Sequence, residues 1–128
     1  MKKAGLYIII AALVVSVNVF DANAMEPNDI VLSYLQALKH GDIAAIKDSI
    51  AGKLYKKRKV LLEQNENYSE FLKKFYQDAE FQISKTTAKD DKVFISVDVD
   101  FSGKKTNFTL LLLKNAAGNW KIYEEINE

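Results

Sequence analysis

The chain has 128 residues, with 18 Lys and Arg against 17 Asp and Glu, 48% hydrophobic residues and no cysteine. That length suits one core-bearing domain, and the near-neutral balance gives no electrostatic reason to bind nucleic acid. The lack of cysteine excludes disulfides, thiol catalysis, Cys-based metal sites and lipidation at a cleavage-site Cys.

Residues 1–24 carry the pattern of a secretory signal peptide. Lys2 and Lys3 make a positive n-region, residues 6–20 are apolar apart from Ser16 and Asn18, and Ala22-Asn23-Ala24 is a small-residue cleavage site. The rival reading is a permanent membrane span, which needs roughly 20 apolar residues; this run is shorter and a cleavage motif follows it. The expectation is cleavage after Ala24, no stable membrane anchor, and a mature domain of residues 25–128 in the periplasm or the medium. Loss of Lys2, Lys3 and Asp21 leaves basic and acidic residues equal in number.

Glu26-Pro27-Asn28-Asp29 reads as a helix start, with Pro in the first turn and acids at the positive end of the dipole. Ile30, Val31, Tyr34, Leu35 and Leu38 follow at helical spacing, and Lys39-His40-Gly41 closes the helix. Asp42 caps a short second helix carrying Ile43, Ile46 and Ile50, which Gly52 ends. Residues 53–64 read as helical, with Leu54, Leu61 and Leu62 on one face and Lys56, Lys57, Arg58 and Lys59 turned mostly to solvent. Ser69 caps a further apolar helix bearing Phe71, Leu72, Phe75 and Tyr76.

The pattern then changes period. Phe81-Gln82-Ile83-Ser84 alternates, and a turn over 88–91 leads into residues 93–102, which alternate strictly. Two further strands, 108–114 and 120–126, complete an antiparallel meander. The fold class is α+β: three N-terminal helices on one face of a four-stranded antiparallel sheet. With Gly103-Lys104 as a two-residue turn, Val99 faces Phe108, Val97 faces Leu110 and Ile95 faces Leu112. With Ala116-Ala117-Gly118 as a three-residue loop, Leu112 faces Ile122 and Lys114 faces Trp120. Both hairpins place Ile95, Val97, Val99, Phe108, Leu110, Leu112, Trp120 and Ile122 on one side, which is therefore the core face. The other face takes Ser96, Asp98, Asp100, Thr109, Lys121 and Glu125, together with Phe94, Leu111, Leu113 and Tyr123. Those last four cluster at one end and mark a candidate interface.

Candidate chemistry is sparse. Asp98 and Asp100 are a carboxylate pair roughly 7 Å apart on one strand face; the register turns them outward, where solvation explains them. His40 is the lone histidine, has no partner for zinc or a triad, and suits a helix C-terminus. No metal, cofactor or catalytic residue is expected.

The order of elements resembles the nuclear transport factor 2-like superfamily, which has a cystatin-like cone. The 31–42 stretch, VLSYLQALKHGD, is similar to its "yl.al..gD" opening. The strand before Gly103 is similar to "V.v.v.f.dG", and Gly118-Asn119-Trp120-Lys121-Ile122 to "dGkWkI". The likeness spans nearly all of the mature chain. It implies a curved sheet wrapping a long helix, with a pocket at the open end. Tyr55, Tyr76 and Trp120 are the candidates to line that pocket around a small hydrophobic ligand. It also implies a homodimer or protein partner through the outer sheet face. With no interior acid or base placed from sequence, a non-catalytic binding module leads. An isomerase or cyclase-type enzyme and an immunity or assembly factor are the alternatives. The exported form should have the intact mass of a chain starting at Met25; the full-length chain in a membrane fraction would overturn the cleavage reading.

Overall fold

A computed structural model describes residues 25–127, so the signal-peptide segment lies outside the described residues. Four helices, α1 (Pro27–His40), α2 (Ile43–Ser49), α3 (Gly52–Gln64) and α4 (Tyr68–Phe75), precede four strands, β1 (Ala79–Lys89), β2 (Lys92–Phe101), β3 (Lys104–Lys114) and β4 (Trp120–Asn127). The strands form one antiparallel sheet in the order β1-β2-β3-β4. The helix count is four, not three: the segment 53–64, read as helical from sequence but left out of the count, forms α3.

Helix α1 ends as its sequence dictates. Gly41 takes φ 64, and the Asp42 N–H bonds the Ala37 carbonyl at 2.9 Å. Its buried stripe, Val31, Tyr34, Leu35, Ala37 and Leu38, lies on the core. Asp42 then caps α2 by accepting from the Ala45 N–H at 3.1 Å. The turn after α2 differs from expectation. Ile50 is extended and pairs in parallel with Ile122, and the Ala51 N–H bonds the Ile122 carbonyl at 2.9 Å. Gly52 therefore opens α3 instead of closing α2. Ser69 does not cap α4 either; its hydroxyl donates to the Gly41 carbonyl at 2.7 Å and ties α4 to the end of α1.

The core face is the one expected: Ile95, Val97, Val99, Leu110, Leu112 and Ile122 are buried, with Phe108 and Trp120 packed at its margin. The β2–β3 register is two residues off the expected one. Phe101 pairs with Lys104, so Ser102-Gly103 is the turn, with φ 52 and 98. Positive φ at both central positions suits Ser-Gly better than Gly-Lys, and the Asp100 carboxylate pins the turn by accepting from the Gly103 N–H at 2.6 Å. A slip of two keeps every side chain on its face.

The β4 strand breaks that parity. Leu112 pairs with Ile122, yet Leu111 pairs with Glu124 and Leu110 with Glu125. One extra residue at Tyr123 makes a β-bulge and reverses the alternation beyond it. Glu125, expected on the outer face, stands instead opposite buried Leu110 on the core side. A second bulge, at Ser84 in β1, sets Thr86 opposite Ile95, and its hydroxyl donates to Asn28 at 3.0 Å.

A methyl group at Gly41 would overlap the Ser69 carbonyl and hydroxyl, whereas one at Gly118 (φ 86) would meet open space. Gly41→Ala should therefore cost about 2–4 kcal/mol, left-handed strain plus overpacking. Gly118→Ala should cost only the strain, about 1 kcal/mol. Urea denaturation of both variants checks the difference.

Candidate functional site

The core encloses a polar cluster centred on Arg58. Within the Lys-rich run of α3, Arg58 sits at i+4 from Leu54 and i−4 from Leu62, so the helix turns it inward with them. Its Nη1 donates to the Tyr68 hydroxyl of α4 at 2.9 Å, and its Nη2 to the Glu125 Oε1 of β4 at 3.3 Å. The two charged side chains are 17% and 20% exposed, so the pair stands at the edge of the interior. Tyr34 of α1 is fully buried beneath them, and Tyr76, after α4, closes the group.

Two donors of this cluster, the Tyr34 hydroxyl and the Arg58 Nε–H, are buried and have no hydrogen-bond partner among the described residues. Burial pushes the Tyr34 phenol well above its ordinary range, against the pull of the Arg58 charge. Burial likewise raises Tyr76, again opposed by Arg58. Burial works against the charge on Arg58, but the surrounding Tyr34, Tyr68, Glu125 and Tyr76 oxygens outweigh it and hold the guanidinium above its usual value. Around neutral pH Arg58 is thus a fixed cation, and the Tyr34 and Tyr76 phenols keep their protons.

From Tyr68 an aromatic row runs outward. Tyr68 stacks on Phe71 at 6.1 Å and Phe71 on Phe75 at 5.6 Å; Phe75 meets Tyr76 at 4.9 Å and Phe101 at 5.6 Å, and Tyr76 lies 5.7 Å from Phe81. Phe71 and Phe75 are 55% and 53% exposed, a large apolar area in open solvent. The row ends where α4 meets the β2–β3 hairpin, and this exposed aromatic end is the candidate mouth of the fold.

The expected pocket residues do not converge. Tyr76 belongs to the mouth. Tyr55 bonds along α3 to Glu63, a contact that raises its phenol above the ordinary value. Trp120 pairs with Lys114, whereas Phe101, beside Tyr76, pairs with Lys104 at the other end of β3; the separation along the strand is about 33 Å. The Trp120 ring lies under the Lys114 ammonium at 5.3 Å and lines a groove with Met25, Ile30 and Asp48.

On the outer face, Phe94 stands opposite Leu111, and Leu113 opposite Lys121, all half-buried. Tyr123 leaves that set: it is the bulge residue, and its ring packs on Gly52 at the start of α3. Asp98 and Asp100 line an outer groove with Glu80, Gln82, Lys105 and Asn107, and His40 bonds the Gln36 carbonyl at 2.8 Å. No group of three metal-ligating side chains occurs among the described residues.

The sequence reading missed Arg58, Glu125 and Tyr34 as a unit. The Leu54–Arg58–Leu62 spacing could have turned Arg58 inward; nothing in the alternation of β4 announces the bulge that brings Glu125 to it.

No family profile and no curated protein matches the chain. Solved structures do. An assigned NTF2-like transpeptidase from Campylobacter jejuni superposes with a TM-score of 0.58 at 15% identity, covering 78% of this chain and 99% of that one. An NTF2-like protein of unknown function from Silicibacter pomeroyi gives 0.55 at 19% identity over 79% and 90%. An assigned ketosteroid isomerase from Shewanella frigidimarina gives 0.53 at 17% identity over 76% and 90%. The chain has the nuclear transport factor 2-like fold, with helices packed on one face of a four-stranded antiparallel sheet.

Removal of Arg58 would strand the Glu125 carboxylate and the Tyr68 hydroxyl. Arg58→Met should cost about 2–3 kcal/mol, less than the ~3–5 kcal/mol of a fully buried pair because a fifth of each side chain reaches water. The double variant Arg58→Met/Glu125→Leu should recover most of the loss in chemical denaturation, because no unpaired charge remains.

Proposed function

We propose that this protein is an exported, non-catalytic module that holds a small apolar ligand at its mouth. The observation that carries the reading is the exposed aromatic row, Phe71 and Phe75, running in from the surface to the Arg58 cluster. Isolated exposed apolar residues need no explanation, but two stacked phenylalanines more than half exposed and continuous with buried rings make a surface that water wets poorly. A ligand body laid on them would complete the wall formed by Tyr76, Phe81 and Phe101. The signal-peptide pattern of residues 1–24 supports export.

An isomerase reading has one observation in its favour: Glu125 is an interior carboxylate beside three tyrosines, and one of the similar structures is an assigned ketosteroid isomerase. A general base needs a carboxylate free to take a proton from substrate, and in the ligand-free protein Glu125 is engaged by Arg58. Binding therefore leads. The half-buried Phe94, Leu111 and Leu113 remain the place for a protein partner or second copy under the interaction reading.

Dodecanol, an apolar chain with a neutral end, should bind the mature protein and raise its melting temperature. The double variant Phe71→Ser/Phe75→Ser should lose that binding while keeping its fold, because both rings are more than half exposed and each aromatic pair lost costs only about 0.5–1.5 kcal/mol. Equal binding by both proteins would overturn the mouth as the site.

A further inference from the structure

We infer that the mouth selects ligands with a carboxylate head, and that Glu125 occupies the head's place when no ligand is bound. This inference rests on the mouth-binding reading and names the ligand class. What the interior leaves unpaired is informative: Arg58 Nε–H can only donate, and the Tyr34 hydroxyl, which can donate or accept, is unpartnered near it. A ligand group that satisfies them must be an acceptor.

The guanidinium narrows this further. On the side-on edge of an arginine, Nε–H and one Nη–H point in parallel and match the two oxygens of a carboxylate. Glu125 uses this cation through one oxygen only, Oε1, at 3.3 Å from Nη2, and Nε has no partner. The fork is half filled by its internal carboxylate. Nη1 is committed to the Tyr68 hydroxyl, so the guanidinium is held in place whichever carboxylate it meets. Glu125 is 20% exposed and sits near the end of the edge strand β4, so its side chain can turn into water and regain hydration when it leaves.

Charge selects the rest. One guanidinium balances one negative charge; a phosphate dianion would bring an uncompensated charge into a site where Tyr34 is wholly buried. The head is therefore a monoanionic carboxylate, set against Arg58 and Tyr34, with its apolar body on Phe71 and Phe75. Competition follows directly. The entering carboxylate exchanges with Glu125, so Glu125 weakens its binding and has little effect on a neutral-headed chain of the same length.

The test uses the mature protein with laurate and dodecanol as probes, read by calorimetric titration, with circular dichroism to confirm folding of each variant. Laurate should bind more tightly than dodecanol. Glu125→Gln should strengthen laurate about tenfold, the low end for a charge-assisted hydrogen bond recovered, and change dodecanol by less than twofold. Tyr34→Phe keeps the ring and removes one donor; it should weaken laurate about threefold to tenfold, as loss of a net hydrogen bond does. If laurate and dodecanol bind alike and neither variant changes either affinity, the carboxylate inference fails while the mouth reading stands. If neither probe binds, the mouth reading fails and this inference goes with it. Should Glu125→Gln not fold, the Tyr34→Phe comparison alone decides, because an unchanged laurate affinity there overturns the head site.

Discussion

One guanidinium joins three elements of this fold. Arg58 projects from α3, bonds the first residue of α4 through Tyr68, and meets the end of β4 through Glu125. In water such a pair contributes little, and inside a protein its attraction is largely offset by lost hydration. Its consequence is geometric. Where the pair is parted, Arg58 keeps its bond to Tyr68 and stays fixed, while Glu125, at the strand end, can reach water. The contacts tie α3 to α4 and to the end of β4, beside the apolar packing of Leu54, Leu62 and Leu72.

That tie exists because β4 carries one residue too many. Side chains along a strand alternate with a period of two, so a single inserted residue exchanges the faces of everything beyond it. Before the bulge, Trp120 and Ile122 face the core; beyond it Glu124 turns outward to Lys53 and Glu125 inward to Arg58. The bulge residue, Tyr123, spends its ring on the bare backbone of Gly52, where φ 56 and the absence of a side chain leave room for it. The same neighbourhood pairs Ile50 with Ile122, so the chain between α2 and α3 is held to the sheet where the parity changes.

The polar interior and the apolar exterior of the mouth are complementary departures from ordinary burial. Tyr34 and Arg58 place donors where water is excluded, and Phe71 and Phe75 place rings where water is abundant. Each arrangement costs stability in isolation. They are contiguous through Tyr68, which bonds Arg58 on one side and stacks on Phe71 on the other. A ligand with an acceptor at one end and an apolar body would relieve both at once, and the binding proposal rests on that continuity.

Much of the architecture is written in local chemistry. The Pro27 start and Gly41 stop bound α1, the Asp42 cap starts α2, and alternation from Val93 onward makes the strands and chooses their buried face. These features act between near neighbours, and strand parity survives even a register error of two, as it does at Ser102-Gly103. The candidate site was legible only in part. The Leu54–Arg58–Leu62 stripe was visible, yet it lay within a run of lysines that a solvated face explains equally well. Glu125 was not visible, because a bulge is selected by contacts across the fold, here the packing of Tyr123 on Gly52 and the pairing of Ile122 with both Leu112 and Ile50. Tyr76 and Trp120 look equivalent as sequence; only the folded sheet sets them at opposite ends of β3. The sequence by itself determined which residues make helices, which make strands and which face is dry. Tertiary structure decided which charges meet inside, because long-range pairing, not local periodicity, sets the parity of the last strand.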